Sequence, residues 1–414
     1  MQKFTDTSYN RYAQYIFMIS IVLTVFAPAV HYVGFALSLF FLIYGRIRYK
    51  DAIFPRAIGK QEKLINCLMV IFFIWSAFLH LGAVDNFHTW GRGASVYLEM
   101  LLWYFFTMRL FCTDNIRKTY ISMLVVITTL IFCMIICVFA LGWFKVFHNL
   151  SMNLNALGLY ATLAFPYIFY YSLWIWPNSV KKYVTCSICA LVSVICFSSG
   201  AWLAIIVMSP LIIYFAWSSN KLSMKSMSIG LCLAAIALVC VNSISNGAIL
   251  KRFTVELAQV SALDKMDSLT NHRYSIWIGT IKMISGRPLT GYGRDSFDAE
   301  HARLLAHDAE LAKATGVFDH AHNTYLELAF AGGWPSAVLF ILIVMLLIKK
   351  CWENRRLIEN GIPWNMIHLT LLAGMIVYGF TGDVFEARRD LAVIFWTALG
   401  IMNCMPERHV VQQK

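Results

Sequence analysis

Long uninterrupted apolar stretches dominate the chain, separated by short polar segments. Apolar runs lie at about 12–29, 31–45, 64–83, 94–112, 120–143, 154–176, 184–198, 201–217, 227–246, 323–348, 364–382 and 391–404. A helix needs roughly 20 apolar residues to cross the hydrocarbon core. The runs are continuous and do not alternate, which excludes the strands of a membrane barrel. The pattern predicts an all-α, polytopic transmembrane bundle of about twelve spans. The seventh and eighth runs meet at Ser198-Ser199-Gly200, so they form a tight hairpin or one long broken helix. The first run follows a short polar start with no cleavage pattern and is expected to stay as a helix.

One interruption is long. Residues 247–322 form a polar stretch of 76 residues, and a structureless loop of that length is unusual. Two helix-like stretches lie in it, near 271–285 and 297–315, separated by Gly286, Pro288, Gly291 and Gly293. No internal repeat or low-complexity tract is present. The chain divides into residues 1–246 with spans one to nine, residues 247–322 as a loop folded into a helical lid, and residues 323–414 with spans ten to twelve and a short tail.

Composition agrees with this division. Apolar residues make up 59% of the 414 and charged residues only 14%. Soluble domains run nearer 45–50% and 25%. The net charge of +12 points to membrane topology, because the positives sit in short loops where they orient helices and touch anionic lipid. Alternate short segments carry 21 Lys and Arg on one side and only Arg92, Lys145, Arg388 and Arg389 on the other. The positive-inside rule then places both termini in the cytoplasm and the 76-residue loop outside. None of the eleven cysteines lies between Gly247 and Asn323, so no disulfide framework is expected there. Cys186 and Cys189 have C-x-x-C spacing inside an apolar run, where small core residues are the simpler reading.

The candidate chemistry clusters around the loop. Arg273, Trp277, Ile281 and Ile284 fall on one helical face, directing Arg273 at the membrane domain. It is there either a snorkelling arginine or an anion clamp, since guanidinium suits phosphate oxygens. Pro288-Leu289-Thr290-Gly291-Tyr292-Gly293 is a tight turn. His320-Ala321-His322-Asn323 runs straight into the tenth span. His322 should lie at the N-terminus of that helix, where the dipole disfavours the imidazolium. A neutral imidazole is what a general base requires; the plainer alternative is a polar N-cap. His320, His322 and Asp319 could bind zinc, but the spacing is weak and no metal is expected. Gly332-Gly333-Trp334-Pro335 should break the tenth helix, through a cavity or close packing. Asp383, Glu386, Arg388, Arg389 and Asp390 cluster in the last outer loop. Glu99, His80 and His368 lie in or near spans, where helix–helix hydrogen bonds are expected.

Together these pieces resemble the O-antigen ligase family and, more broadly, the O-antigen ligase/polymerase superfamily. The resemblance rests on Arg273-x-x-x-Trp277, Pro288-Leu289-x-Gly291-x-Gly293, and His322-Asn323 followed after nine residues by Gly333, in that order inside the large loop. It implies a GT-C-like bundle in the inner membrane of a Gram-negative bacterium, with the active site facing the periplasm. The implied reaction moves O-antigen polysaccharide from undecaprenyl pyrophosphate to a sugar hydroxyl of lipid A-core. It needs no cofactor, metal, nucleotide or nucleic acid. By resemblance, His322 is the base and Arg273 the pyrophosphate clamp. Asn323, Tyr292, Trp277, His320, Arg388 and Arg389 are candidate substrate contacts. The sequence departs from the family at Ser199, where an arginine is usual, and at Ser336. Arg388 or Arg389 could replace the missing cation. A polymerase that joins repeat units on the same carrier shares this topology. A transporter is disfavoured by the lack of repeats and by charges gathered at the outer side.

Overall fold

The computed structural model describes residues 8–24, 29–49, 59–78, 87–140, 154–196, 198–261, 273–384 and 389–405. Each of the twelve apolar runs is occupied by a helix. These are α1 (Ser8–Leu23), α2 (Ala29–Tyr49), α3 (Lys60–Phe78), α4 (Phe87–Leu110), α5 (Asp114–Ala140), α6 (Leu154–Ile175), α7 (Val180–Ile195), α8 (Ser199–Ser218) and α9 (Met224–Ile244), with three more after the lid. Among the described residues, seven helices are long and apolar enough to cross a membrane, which makes this a multi-pass membrane protein. Helices α1 and α7 have 16 residues each, about 24 Å at 1.5 Å per residue, short of the roughly 30 Å core.

The lid holds more helix than expected. Helix α10 (Ala248–Ser261) was not foreseen: Ile249, Phe253, Leu257 and Val260 share one face, but Lys251, Arg252 and Glu256 between them break the continuous apolar run by which the other helices were found. Helix α11 (Arg273–Gly286) fills the first expected stretch. The second is split into α12 (Phe297–His307) and α13 (Ala309–Ala314), because Asp308 caps a new helix, its Oδ1 accepting from Leu311 N at 3.0 Å. The chain then enters α14 (Thr324–Glu353), α15 (Trp364–Gly379) and α16 (Arg389–Cys404).

The bundle is inside-out in one respect. Leu231, Ile236 and Val239 of α9 are 60–64% exposed, as suits a helix that faces lipid. Its polar contacts are inward. Trp103 Nε1 donates to Thr397 Oγ1 at 2.8 Å, and buried Arg117 pairs with Glu359 at 2.6 Å and with Asp114. Glu99 meets His31 at 3.1 Å, tying α4 to α2. His368 differs from expectation: it packs on the Trp364 and Tyr167 rings, with no hydrogen bond at either ring nitrogen among the described residues. His80 lies outside those residues. All eleven cysteines are free, Cys186 and Cys189 included.

Candidate active site at the N-terminus of α14

The site is organised by a break in α14. Gly332 and Gly333 leave helical geometry, Gly333 at φ +72°. Pro335 has no N–H to give Ala331 O, so the break leaves carbonyls without helical donors. The 288–293 turn supplies them. Tyr292 N donates to Phe330 O at 2.8 Å and Gly293 N to Ala331 O at 3.0 Å, while the freed Trp334 N donates to Pro288 O at 2.8 Å. Trp75 Nε1 takes up Gly332 O at 2.9 Å. Backbone meets backbone so closely that a Cβ on Gly291 would stand 2.4 Å from Phe330 O, and one on Gly333 2.4 Å from Leu289 O. The two glycine motifs are therefore halves of one joint that fastens the lid to the bundle. Tyr292 belongs to it: its ring stacks on Phe330 at 5.3 Å and lies under the Arg287 guanidinium.

Above the break, the start of α14 is heavily capped. Asn323 Oδ1 accepts from Tyr325 N and Leu326 N at 3.0 and 3.1 Å, and its Nδ2 donates to Phe380 O at 3.3 Å. Thr324 donates through N and Oγ1 to Gly382 O, at 3.1 and 2.9 Å. Glu327, 2% exposed, accepts from Ala321 N at 2.6 Å. Sequence reasoning assigned Glu327 no role. The signal was an acid in the first turn after an Asn cap, the usual means of satisfying orphan N–H groups.

These bonds hold His322 in a left-handed backbone conformation, φ +51°, which costs a non-glycine residue about 1–2 kcal/mol. Its ring stands 3.9 Å from His320 and 6.0 Å from Phe318, centroid to centroid. Burial, the neighbouring His320 and the Arg273 guanidinium push its pKa down to about 3. The imidazole is neutral at pH 7. Burial, with His320 and Arg273 beside the ring, accounts for this, where the sequence suggested the helix dipole. His320 itself bonds Asp319 at 2.6 Å.

Arg273 reaches the same corner from the lid, its Nη1 donating to Thr381 O at 2.5 Å. Gly200, next to Ser199, packs under Thr381 so closely that a Cβ would stand 2.3 Å from its Oγ1. The starts of α8, α11 and α14 and the turn after α15 thus converge. The expected face of α11 is displaced, however. Ser275, Ile276, Gly279, Thr280, Met283 and Ile284 are buried, Ile281 is exposed, and Arg273 and Trp277 stand at the edge of the packed face. Small residues made the difference: Gly279 admits His301, Leu304 and Leu311, so α11 is covered by α12 and α13 as well as by α14. Arg388 and the Arg389 side chain lie outside the described residues, as does Glu386.

An apolar cavity of about 350 Å³ opens beneath Thr324 and Tyr325, walled by Phe340, Ile341, Met375 and Phe395 from α14, α15 and α16. A hydrocarbon chain fits such a lining.

Residues 184–341 match a family model described as O-Antigen ligase. The matched span includes Ser199, Arg273, both glycine motifs and His322. Among curated proteins, an uncharacterized protein of Haemophilus influenzae is 23% identical over 276 residues, which are 63% of this chain and 66% of the relative. The match therefore spans just under two thirds of that relative's length.

Proposed function

Taking the O-antigen ligase match over residues 184–341 as its premise, we propose that this chain transfers O-antigen polysaccharide from undecaprenyl pyrophosphate to a sugar hydroxyl of lipid A-core. The observation that carries the reading is a neutral, half-buried His322 beside Arg273, at a capped helix start whose first residues, Thr324 and Tyr325, line an apolar cavity.

The acceptor hydroxyl attacks the anomeric carbon of the donor. Its proton passes to the unprotonated nitrogen of His322. The bond from that carbon to the pyrophosphate oxygen breaks, and its electron pair leaves with the lipid pyrophosphate. Arg273 faces that developing charge, as preorganised cations do in charge-separating steps. One direct displacement inverts the anomeric centre. Asn323, Trp277, Tyr292 and His320 line or brace the substrate space. The anion also tunes the base: pyrophosphate against Arg273 offsets the repulsion that helps to depress His322, so its basicity rises when the donor binds.

Ser199 leaves this corner one cation short of the family pattern. Arg388, or Arg389 at the start of α16, supplies it in this proposal. Arg389→Ala should then cut transfer at least tenfold; normal transfer would discard that residue as the replacement.

The reaction is tested in Gram-negative cells that lack their own ligase. Expression of this chain should restore a lipopolysaccharide ladder. Growth of carrier-linked repeats without transfer to lipid A-core would favour the polymerase reading instead.

A further inference from the structure

A second groove lies away from this corner, between α8 and α9, floored by α6 and α7. Its volume is about 550 Å³ and its walls are apolar, with Phe165, Phe169, Ile206, Ile213 and Leu231 among them. Ile206 and Leu231 are each 64% exposed, so the groove opens sideways to the membrane. On α7 it runs from Lys182 to Val194, about 18 Å at 1.5 Å per residue. Half of the hydrocarbon core is about 15 Å, so the groove is as deep as one leaflet. Trp202 and Phe253 stand at the far end, 6.4 Å apart.

The near end is built for negative charge. Helices α7 and α9 both begin there, side by side, with Tyr183 and Ser226 hydroxyls 3.0 Å apart. Two helix N-termini present positive dipole ends. Lys181, Lys182, Lys221 and Lys225 surround them. Lys182 bonds Pro177 O at 2.6 Å, and none of the four has an acidic partner among the described residues. No Asp or Glu stands anywhere between Asn115 and Val255. An uncompensated basic mouth on an apolar, leaflet-deep groove matches one amphiphile: an anionic head on an acyl chain.

We propose that this groove is a binding site for an anionic phospholipid, its acyl chain between α8 and α9 and its phosphate at Lys181, Lys182 and Lys225. The site is independent of the glycan chemistry. The test is native mass spectrometry of the full-length protein in detergent, titrated with phosphatidylglycerol and with phosphatidylcholine of the same acyl chains. The wild type should hold phosphatidylglycerol at least tenfold more tightly. The exposed-lysine double variant Lys181→Gln/Lys225→Gln should lose that preference. Gly230→Phe should weaken both lipids at least fivefold, because a side chain at Gly230 meets only open space and would occupy the groove. Equal binding of the two lipids, or a preference untouched by the lysine changes, overturns the anionic site. Binding unchanged in Gly230→Phe overturns the groove as its location. A polyprenyl phosphate that co-purifies and resists displacement by phosphatidylglycerol overturns the phospholipid as occupant.

Discussion

At the scale of single residues, His322 carries the chemistry proposed for this chain, and its backbone decides which variant tests it. Asn tolerates the left-handed region that His322 occupies. His322→Asn should therefore fold like the wild type while losing about 10²–10⁴-fold in transfer, the usual contribution of a general base. Comparison of melting curves and transfer rates for the two proteins checks this.

The pH dependence has a definite sign. An imidazole free in the unfolded chain titrates near 6.5, while His322 in the fold is pushed down to about 3. Between those values the unfolded chain binds the extra proton, so stability is full above pH 6.5 and falls as pH drops toward 3. Burial lowers His301 in the same direction. The melting temperature of His322→Asn should fall less than that of wild type between pH 6.5 and 4. For the same reason, the acid limb of kcat/KM should lie well below pH 6.5, and that of kcat higher, because bound donor offsets the repulsion from Arg273.

His322, Asn323 and Arg273 became candidates through their order within one polar loop, and the fold brings Arg273 to the corner where α14 starts. Glu327 and Thr381 did not become candidates. Each acts through a backbone group, Glu327 on Ala321 N and Thr381 through its own carbonyl, and such roles leave no mark of residue type at a fixed spacing.

Among the elements, the joint between the 288–293 turn and the break in α14 does most to position the site. Its glycines were visible as a turn and as a helix breaker, and close packing was one of the two readings of the break. That the two segments bond to each other was not visible, because nothing local links positions so far apart in the chain, Tyr292 to Phe330 or Pro288 to Trp334. Gly291→Ala and Gly333→Ala should each destabilise the protein by at least ~2 kcal/mol, from forced positive φ and from backbone collision. Thermal unfolding in detergent measures this, and an unchanged melting temperature for either variant would remove the joint. The orientation of α11 was misread because only its large apolar residues were counted. Ser275, Gly279 and Thr280 mark the packed seam, and small residues at close helix contacts are as informative as large ones.

For the whole molecule, the apolar runs located every long helix of the bundle, since hydropathy and continuous backbone bonding act together in lipid. They did not locate α10. Nor does hydropathy settle how many helices cross: α1, α7, α15 and α16 are each 16 residues long, and α4 carries Arg92, Glu99 and Arg109. The charge asymmetry predicts that the termini share one side and the lid lies on the other. Alkaline phosphatase fused after Gly316 should be active in the periplasm, and fused after Glu353 inactive. The reverse pattern would invert the topology.

The most direct measurement is glycan transfer by the purified full-length chain. Labelled polysaccharide on undecaprenyl pyrophosphate would be offered with lipid A-core, to the wild type and to folded His322→Asn. Labelled lipopolysaccharide is expected from the wild type, with at least a hundredfold less from the variant. Equal product from both would contradict His322 as the base, and no product from an intact wild type given both substrates would contradict the transfer itself.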